Sequence, residues 1–199
     1  ITINQNFSFT NASSFSANTI VNWNNNSLYG GGTLTNNGTV NLTTSGSRYV
    51  SGGTTIINNG LFTMPAAGYF YLYGTSIFNN TSNGTFDIQS DAILSYSGTS
   101  HNFTNAGLLK KSTTSGSAQI QCILTNTGNI SVESGTLSLT ALPKTFNSGI
   151  YNVTNGGELT LNALTNINGT LTGTLNGALN WSSDLSVSGS ATFNFTGAN

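Results

Sequence analysis

Five carboxylates, one histidine and one thiol are the groups from which this 199-residue chain could assemble acid–base or nucleophilic chemistry. The acids are Asp87, Asp91, Glu133, Glu158 and Asp184. Glycoside hydrolysis needs two carboxyl groups facing each other across the substrate, and β-elimination needs a base beside a charge neutraliser. A Ser/His/Asp triad or a histidine-based metal set needs more partners than the single His101 finds among so few acids, and its place just before Phe103 reads as a coil corner at the surface. Cys122 alternates with Ile120 and reads as a buried thiol, with no second cysteine for a disulfide. Gly30-Gly31-Gly32 lacks the aspartate that follows in calcium-binding nonapeptides, so it reads as a turn. The expectation is no catalytic residue, no metal and no cofactor.

The aromatic residues offer a different chemistry. Tyr69, Tyr71 and Tyr73 alternate with Phe70 and Leu72, so if the two apolar side chains face inward, all three tyrosines face solvent. With Tyr49, Tyr96 and Arg48 they make a candidate ligand-binding set, flanked by Asn and Thr, that suits stacking on sugar rings. The same tyrosines also suit an exposed strand as a purely stabilising ladder.

The elements that position these residues must be built from an unusual composition. Only 5% of residues are charged, against about 25% in ordinary domains, while 36% are hydrophobic and 10% aromatic. Apolar content of that size, spread evenly, supports a core and argues against disorder. Four basic and five acidic residues give a net charge of −1, which provides no basic patch for nucleic acid or anionic lipid. No run reaches the length of a transmembrane helix, and no secretion signal opens the chain at Ile1. Both ends fall inside repeat-like text, as expected of a fragment of a longer array.

That text has the form apolar-x-Asn-x-Gly-x-apolar-x-apolar. It appears as Leu34-Thr-Asn-Asn-Gly38-Thr-Val40-Asn-Leu42 and Ile56-Ile-Asn-Asn-Gly60-Leu-Phe62-Thr-Met64, then around Gly107 and Gly128, and more loosely around Gly84, Gly149 and Gly169. The glycines are 20 to 24 residues apart, the period of a solenoid. The absence of a Leu-x-x-Leu-x-Leu frame and of helix-forming returns excludes leucine-rich repeats. The chain is predicted to be an all-β, right-handed parallel β-helix of seven or eight coils, one domain over 1–199.

In that frame, the column two residues after glycine holds Val40, Phe62, Phe86, Leu109, Ile130, Tyr151 and Leu171. Four residues after come Leu42, Met64, Ile88, Lys111, Val132, Val153 and Gly173, with Lys111 the exception, expected to shift register or to reach solvent. Two residues before stand Asn36, Asn58, Asn105, Asn126 and Asn147, expected to stack as an amide ladder beside glycines that supply a positive φ. Tyr49 and Tyr71 share one register, with Tyr96 one residue off. The acids scatter over different registers, and only Lys110 meets one, Asp87, as an outward ion pair. The column following glycine lacks the unbroken threonine array of an ice-binding face. Trp23 and Trp181, each closing an Asn-Trp phrase, suggest that a longer unit restarts near the C-terminal end.

The segments Phe103–Lys111, Leu124–Leu137 and Val21-Asn-Trp23 resemble the Asn-x-Gly repeats of large secreted bacterial proteins with adhesin-like or autotransporter-like β-helical stalks. The resemblance covers most of residues 20–195. It implies a secreted or cell-surface structural or adhesive module whose partners are glycans or other copies of the repeat, and it transfers no catalytic residue. A second reading is the non-catalytic part of a carbohydrate-active β-helix, a polysaccharide lyase or glycoside hydrolase.

Overall fold

The structure, a computed structural model, describes residues 1–98 and 101–197. The chain forms a parallel β-solenoid of about nine turns with about 22 residues per turn. A complete coil contributes three short strands, for example Thr55–Asn58, Leu61–Met64 and Tyr69–Tyr73, and the next contributes Ile77–Asn80, Thr85–Ile88 and Ile93–Ser97. Each strand pairs in parallel with its counterpart one coil away. First and second strands build a 17-stranded sheet, and third strands a 9-stranded one. The turns exceed the seven or eight expected because glycine counting misses the first coil, whose corner is Ser16-Ala-Asn-Thr19.

Period-two alternation places the interior columns largely as their sequence spacing predicts. Val40, Phe62, Phe86, Leu109, Ile130 and Tyr151 lie in register and are buried. Phe62, Phe70, Phe78, Phe86 and Phe103 form a contiguous aromatic cluster in the middle of the stack, with Phe62 and Phe86 parallel at 5.5 Å. Leu171 departs from the expected column. A register shift between Asn147 and Gly149 puts it beside Gly149, so Tyr151 falls next to Gly173. A Cβ at Gly173 would lie 1.9 Å from the Tyr151 carbonyl oxygen, which explains glycine there. Trp23 is buried in a second strand whereas Trp181 is half-buried in a third strand, so the two tryptophans are not equivalent positions of a longer unit.

The asparagine ladder is present and differs in membership. Asn36 Nδ2 donates to Asn58 Oδ1 at 2.7 Å, Asn58 to Asn80 at 2.8 Å, Asn80 to Asn105 at 2.7 Å and Asn105 to Asn126 at 2.6 Å. Asn80 joins because two extra residues fill the corner before Gly84. Asn147 does not, because Phe146 takes the position beside Asn126. The ladder ends on a tyrosine: Asn126 Nδ2 donates to Tyr151 Oη at 2.9 Å. Each amide also donates to backbone carbonyls at the corner, such as Leu61 O, Thr85 O and Leu108 O.

The corner glycines Gly38, Gly60, Gly84, Gly107 and Gly128 serve close approach, whereas the looser corners at Gly149 and Gly169 take the expected positive φ. A Cβ on Gly60, Gly107 or Gly128 would lie 2.2 to 2.3 Å from a carbonyl oxygen of the coil before. Positive φ is used elsewhere, at Gly30, Gly52, Gly74 and Gly98, which close successive third strands.

Replacing Asn105 by Leu leaves the Asn80 amide and the Asn126 carbonyl without a side-chain partner in a buried row. It is expected to lower stability by roughly 2–4 kcal/mol, read as a lower urea midpoint. Asn59→Leu, in the exposed row where Asn59 donates to Asn37 at 2.9 Å, should cost less than about 1 kcal/mol. Equal costs would show that burial of the ladder is unimportant.

Candidate functional site

The strand Tyr69–Tyr73 lies between Ser47–Val50 and Ile93–Ser97 in the 9-stranded sheet. Phe70 and Leu72 point into the core, and Tyr69 and Tyr73 are exposed, as alternation requires. Tyr71 pairs with Tyr49 across the strands, and their rings stack at 5.1 Å and 8°. Tyr69 stacks on Tyr71 at 5.4 Å and 9°. Three near-parallel rings result, with Tyr71 in contact with the other two. Burial and the two neighbouring phenols raise the Tyr71 pKa, which keeps its hydroxyl protonated.

Arg48 and Tyr96 do not belong to this face. Arg48 occupies the register of Phe70, an interior position, and is fully buried. Its guanidinium donates to Gly46 O at 2.8 Å, to Thr44 Oγ1 at 2.9 Å and to Thr44 O. Tyr96 falls in the register of Leu72, packs against the core and stacks on His101 at 4.5 Å. One residue of displacement along a strand moves a side chain to the opposite face.

Sequence reasoning missed Tyr29. It shares a column with Ser51 and Tyr73, as the registers Leu28↔Val50 and Leu72↔Val50 fix, and it is exposed. The phrase Leu28-Tyr-Gly30, repeated as Leu72-Tyr-Gly74, was the available signal. A groove of about 320 Å³ opens on this face, lined by Ser27, Tyr49, Ser51 and Tyr73. A second hollow, lined by Ile1, Ile3, Asn4 and Phe7 among others, lies at the first coil, away from the tyrosines.

Most of the charged side chains make contacts within the solenoid. Lys110 lies 3.6 Å from Asp87 and 3.4 Å from Glu133, the first being the expected cross-strand pair. Lys111, expected to slip register or reach solvent, does neither. It stays in register, fully buried, and donates at 2.7 Å to both Thr114 O and Thr114 Oγ1. Lys144 is also fully buried and donates to Cys122 O at 3.0 Å, Thr140 O at 2.8 Å and Leu142 O. Burial pulls its pKa down to about 8. Burial likewise pushes the Cys122 thiol up to about 12, which keeps it protonated and unreactive. Glu158 accepts from Thr136 at 3.0 Å and from Asn180. Among the described residues no group of three or more His, Cys, Asp or Glu side chains could hold a metal ion, and no helix is long and apolar enough to cross a membrane.

His101 is buried, not at a surface corner. Neither ring nitrogen has a hydrogen-bond partner among the described residues. Desolvation, and then the Lys144 charge, lower its pKa.

The geometry defines a parallel β-solenoid repeat protein with an uncharged tyrosine face. Family models, curated proteins and solved structures give no match to the chain.

The buried imidazole sets a pH dependence. Its folded pKa lies below its unfolded value, so the unfolded chain takes up the proton first and stability falls as pH drops through about 6.5. The urea midpoint should fall between about pH 7.5 and pH 5, and His101→Phe should remove that part of the fall. A wild-type midpoint that stays flat over this interval would contradict the assignment. Lys144 acts at the other end: its folded state releases the proton first, so stability should rise from about pH 8 towards 10.5.

Proposed function

We propose that this chain is a structural and adhesive module of a secreted or cell-surface bacterial protein, which contacts glycans through its tyrosine face and catalyses no reaction itself. The observation that carries the reading is the row Tyr49–Tyr71–Tyr69 with Tyr29 and Tyr73 beside it, five tyrosines on one side of one flat sheet. Aromatic rings with phenol tips offer apolar faces for the C–H surfaces of sugar rings and hydroxyls for their polar edges. The stack is rigid, so little side-chain entropy is lost on binding. The nearest basic side chain on these strands, Arg48, is turned inward, which leaves a surface suited to neutral polar ligands. The sequence resemblance to adhesin-like repeats agrees with this role and with an exterior location.

The solenoid itself supports the structural half of the proposal. Coils of equal rise pair along their whole length, so the stack is a stiff spacer whose outward columns repeat at about 4.8 Å.

A glycan array probed with the wild-type chain and with a Tyr49→Ala/Tyr69→Ala variant tests the adhesive half. Removing the two rings that contact Tyr71 should weaken binding roughly tenfold or more. Equal binding by the variant would sink the role of this face. Labelling of intact source cells by an antibody raised against the chain, with loss of signal after external protease, tests the location.

A further inference from the structure

Three registers of the 9-stranded sheet arrange its outward residues as a checkerboard. In the first strand Ser27 precedes Tyr29, in the next Tyr49 precedes Ser51, and in the third Tyr71 precedes Tyr73. Ser27 lies beside Tyr49 and, in the adjoining column, Ser51 lies between Tyr29 and Tyr73. Serine side chains are short, so Ser51 leaves a depression between Tyr29 and Tyr73, and Ser27 one between Tyr49 and Asn6 of the first coil. The groove lined by Ser27, Tyr49, Ser51 and Tyr73 is the hollow this alternation produces.

The stack decides which ring faces remain free. Tyr71 lies parallel to Tyr49 of the coil before and to Tyr69 on its own strand, and it is only partly exposed. Tyr49 has one face against Tyr71 and the other towards the coil that carries Ser27. Tyr29 and Tyr73 border Ser51 from opposite sides, and both are exposed, at 43% and 51%. Tyr71 is the least exposed of the five rings, so a ligand gains more from the rings beside the two serines.

We infer that Ser27 and Ser51 are the floors of two adjoining subsites for a neutral oligosaccharide, with Tyr49 shared between them and Tyr29 and Tyr73 as outer walls. This rests on the reading of the tyrosine face as glycan-contacting and narrows it to a place and a ligand class. The floors are diagonal neighbours, about 7–8 Å apart, which lets consecutive sugar rings of one chain occupy both. Each serine hydroxyl donates to or accepts from a sugar hydroxyl, and each ring takes a C–H face. The lining has no charged side chain, so a uronic-acid chain finds no cation to offset the desolvation of its carboxylates.

Isothermal titration with cellotetraose, xylotetraose, mannotetraose and tetragalacturonate, on wild type, on Ser27→Tyr, Ser51→Tyr and Tyr69→Ala, and on Ile150→Ala as a control exposed on the other sheet, tests the inference. Tyrosine is a strand-compatible residue that fills the depressions, and thermal unfolding by circular dichroism checks that each variant folds as the wild type does. The expected result is that at least one neutral tetraose binds and tetragalacturonate does not. Ser27→Tyr and Ser51→Tyr should each weaken binding roughly tenfold or more, while Ile150→Ala changes it less than about twofold.

If neutral binding is seen but depends on Tyr69 and not on the serines, the subsites are wrong and the broader glycan reading stands. If no sugar binds, both fail. Preferential binding of tetragalacturonate would overturn the ligand class. A concentration-dependent dimer in sedimentation that Ser51→Tyr abolishes would identify a second copy of the chain as the occupant and overturn the inference.

Discussion

The translation of about 4.8 Å between successive coils is the constraint on which everything else in this molecule depends. In a parallel stack each residue meets, above and below, the residue one period away. A side chain is therefore tolerated by how it packs against its own column. An asparagine in such a column can donate to the next amide and accept from the previous one, which satisfies in a buried row what a lone buried amide could not. The row from Asn36 to Asn126 does this without interruption and ends at the Tyr151 hydroxyl, a group that needs only one coil to accept it. The corner glycines follow from the same spacing, because the backbone of each coil folds onto a carbonyl of the one before.

In three apolar columns a cation stands where the neighbouring coils place Phe70, Ile88 or Leu124. Arg48, Lys111 and Lys144, three of the four basic residues, are buried, and each donates to carbonyls of a nearby turn. A turn between strands points carbonyls at the interior with no neighbouring N–H to take them. A side chain with several donors on a flexible stem gathers them at one point. The chain thus uses most of its positive charge as internal scaffolding, and the outer surface keeps few charges, most of them acidic.

The sparse surface charge and the column rule together shape the tyrosine face, whose groove has no charged side chain. The spacing that aligns asparagines inside aligns Tyr49 with Tyr71 outside, and near-parallel phenols stabilise the sheet whether or not anything binds. The two uses are compatible at different rings. Tyr71 is in contact with two other rings, whereas the serines at 27 and 51 interrupt the columns and open the rings next to them. A surface made only for stability would be expected to continue the stack through those positions.

How much of this was legible beforehand depends on whether a feature is periodic. The fold class, the two- and four-residue columns after glycine, the outward Tyr69, Tyr71 and Tyr73, and the Asp87–Lys110 pair all follow from spacing, because in a solenoid sequence separation maps directly onto position. Features set by local irregularity did not. Asn80 entered the ladder and Asn147 left it because corners of different length absorb extra residues. Tyr96 was lost to the interior by one residue, and Tyr29 went unnoticed because its coil has no corner glycine to count from. Arg48 stands beside Tyr49 in sequence, yet alternation turns it inward, where its long stem reaches carbonyls that only the folded turn brings together. The sequence by itself determined the periodic stack. Only the tertiary structure decided which polar side chains go inside it, since that choice depends on whether their donors find acceptors in neighbouring coils and turns.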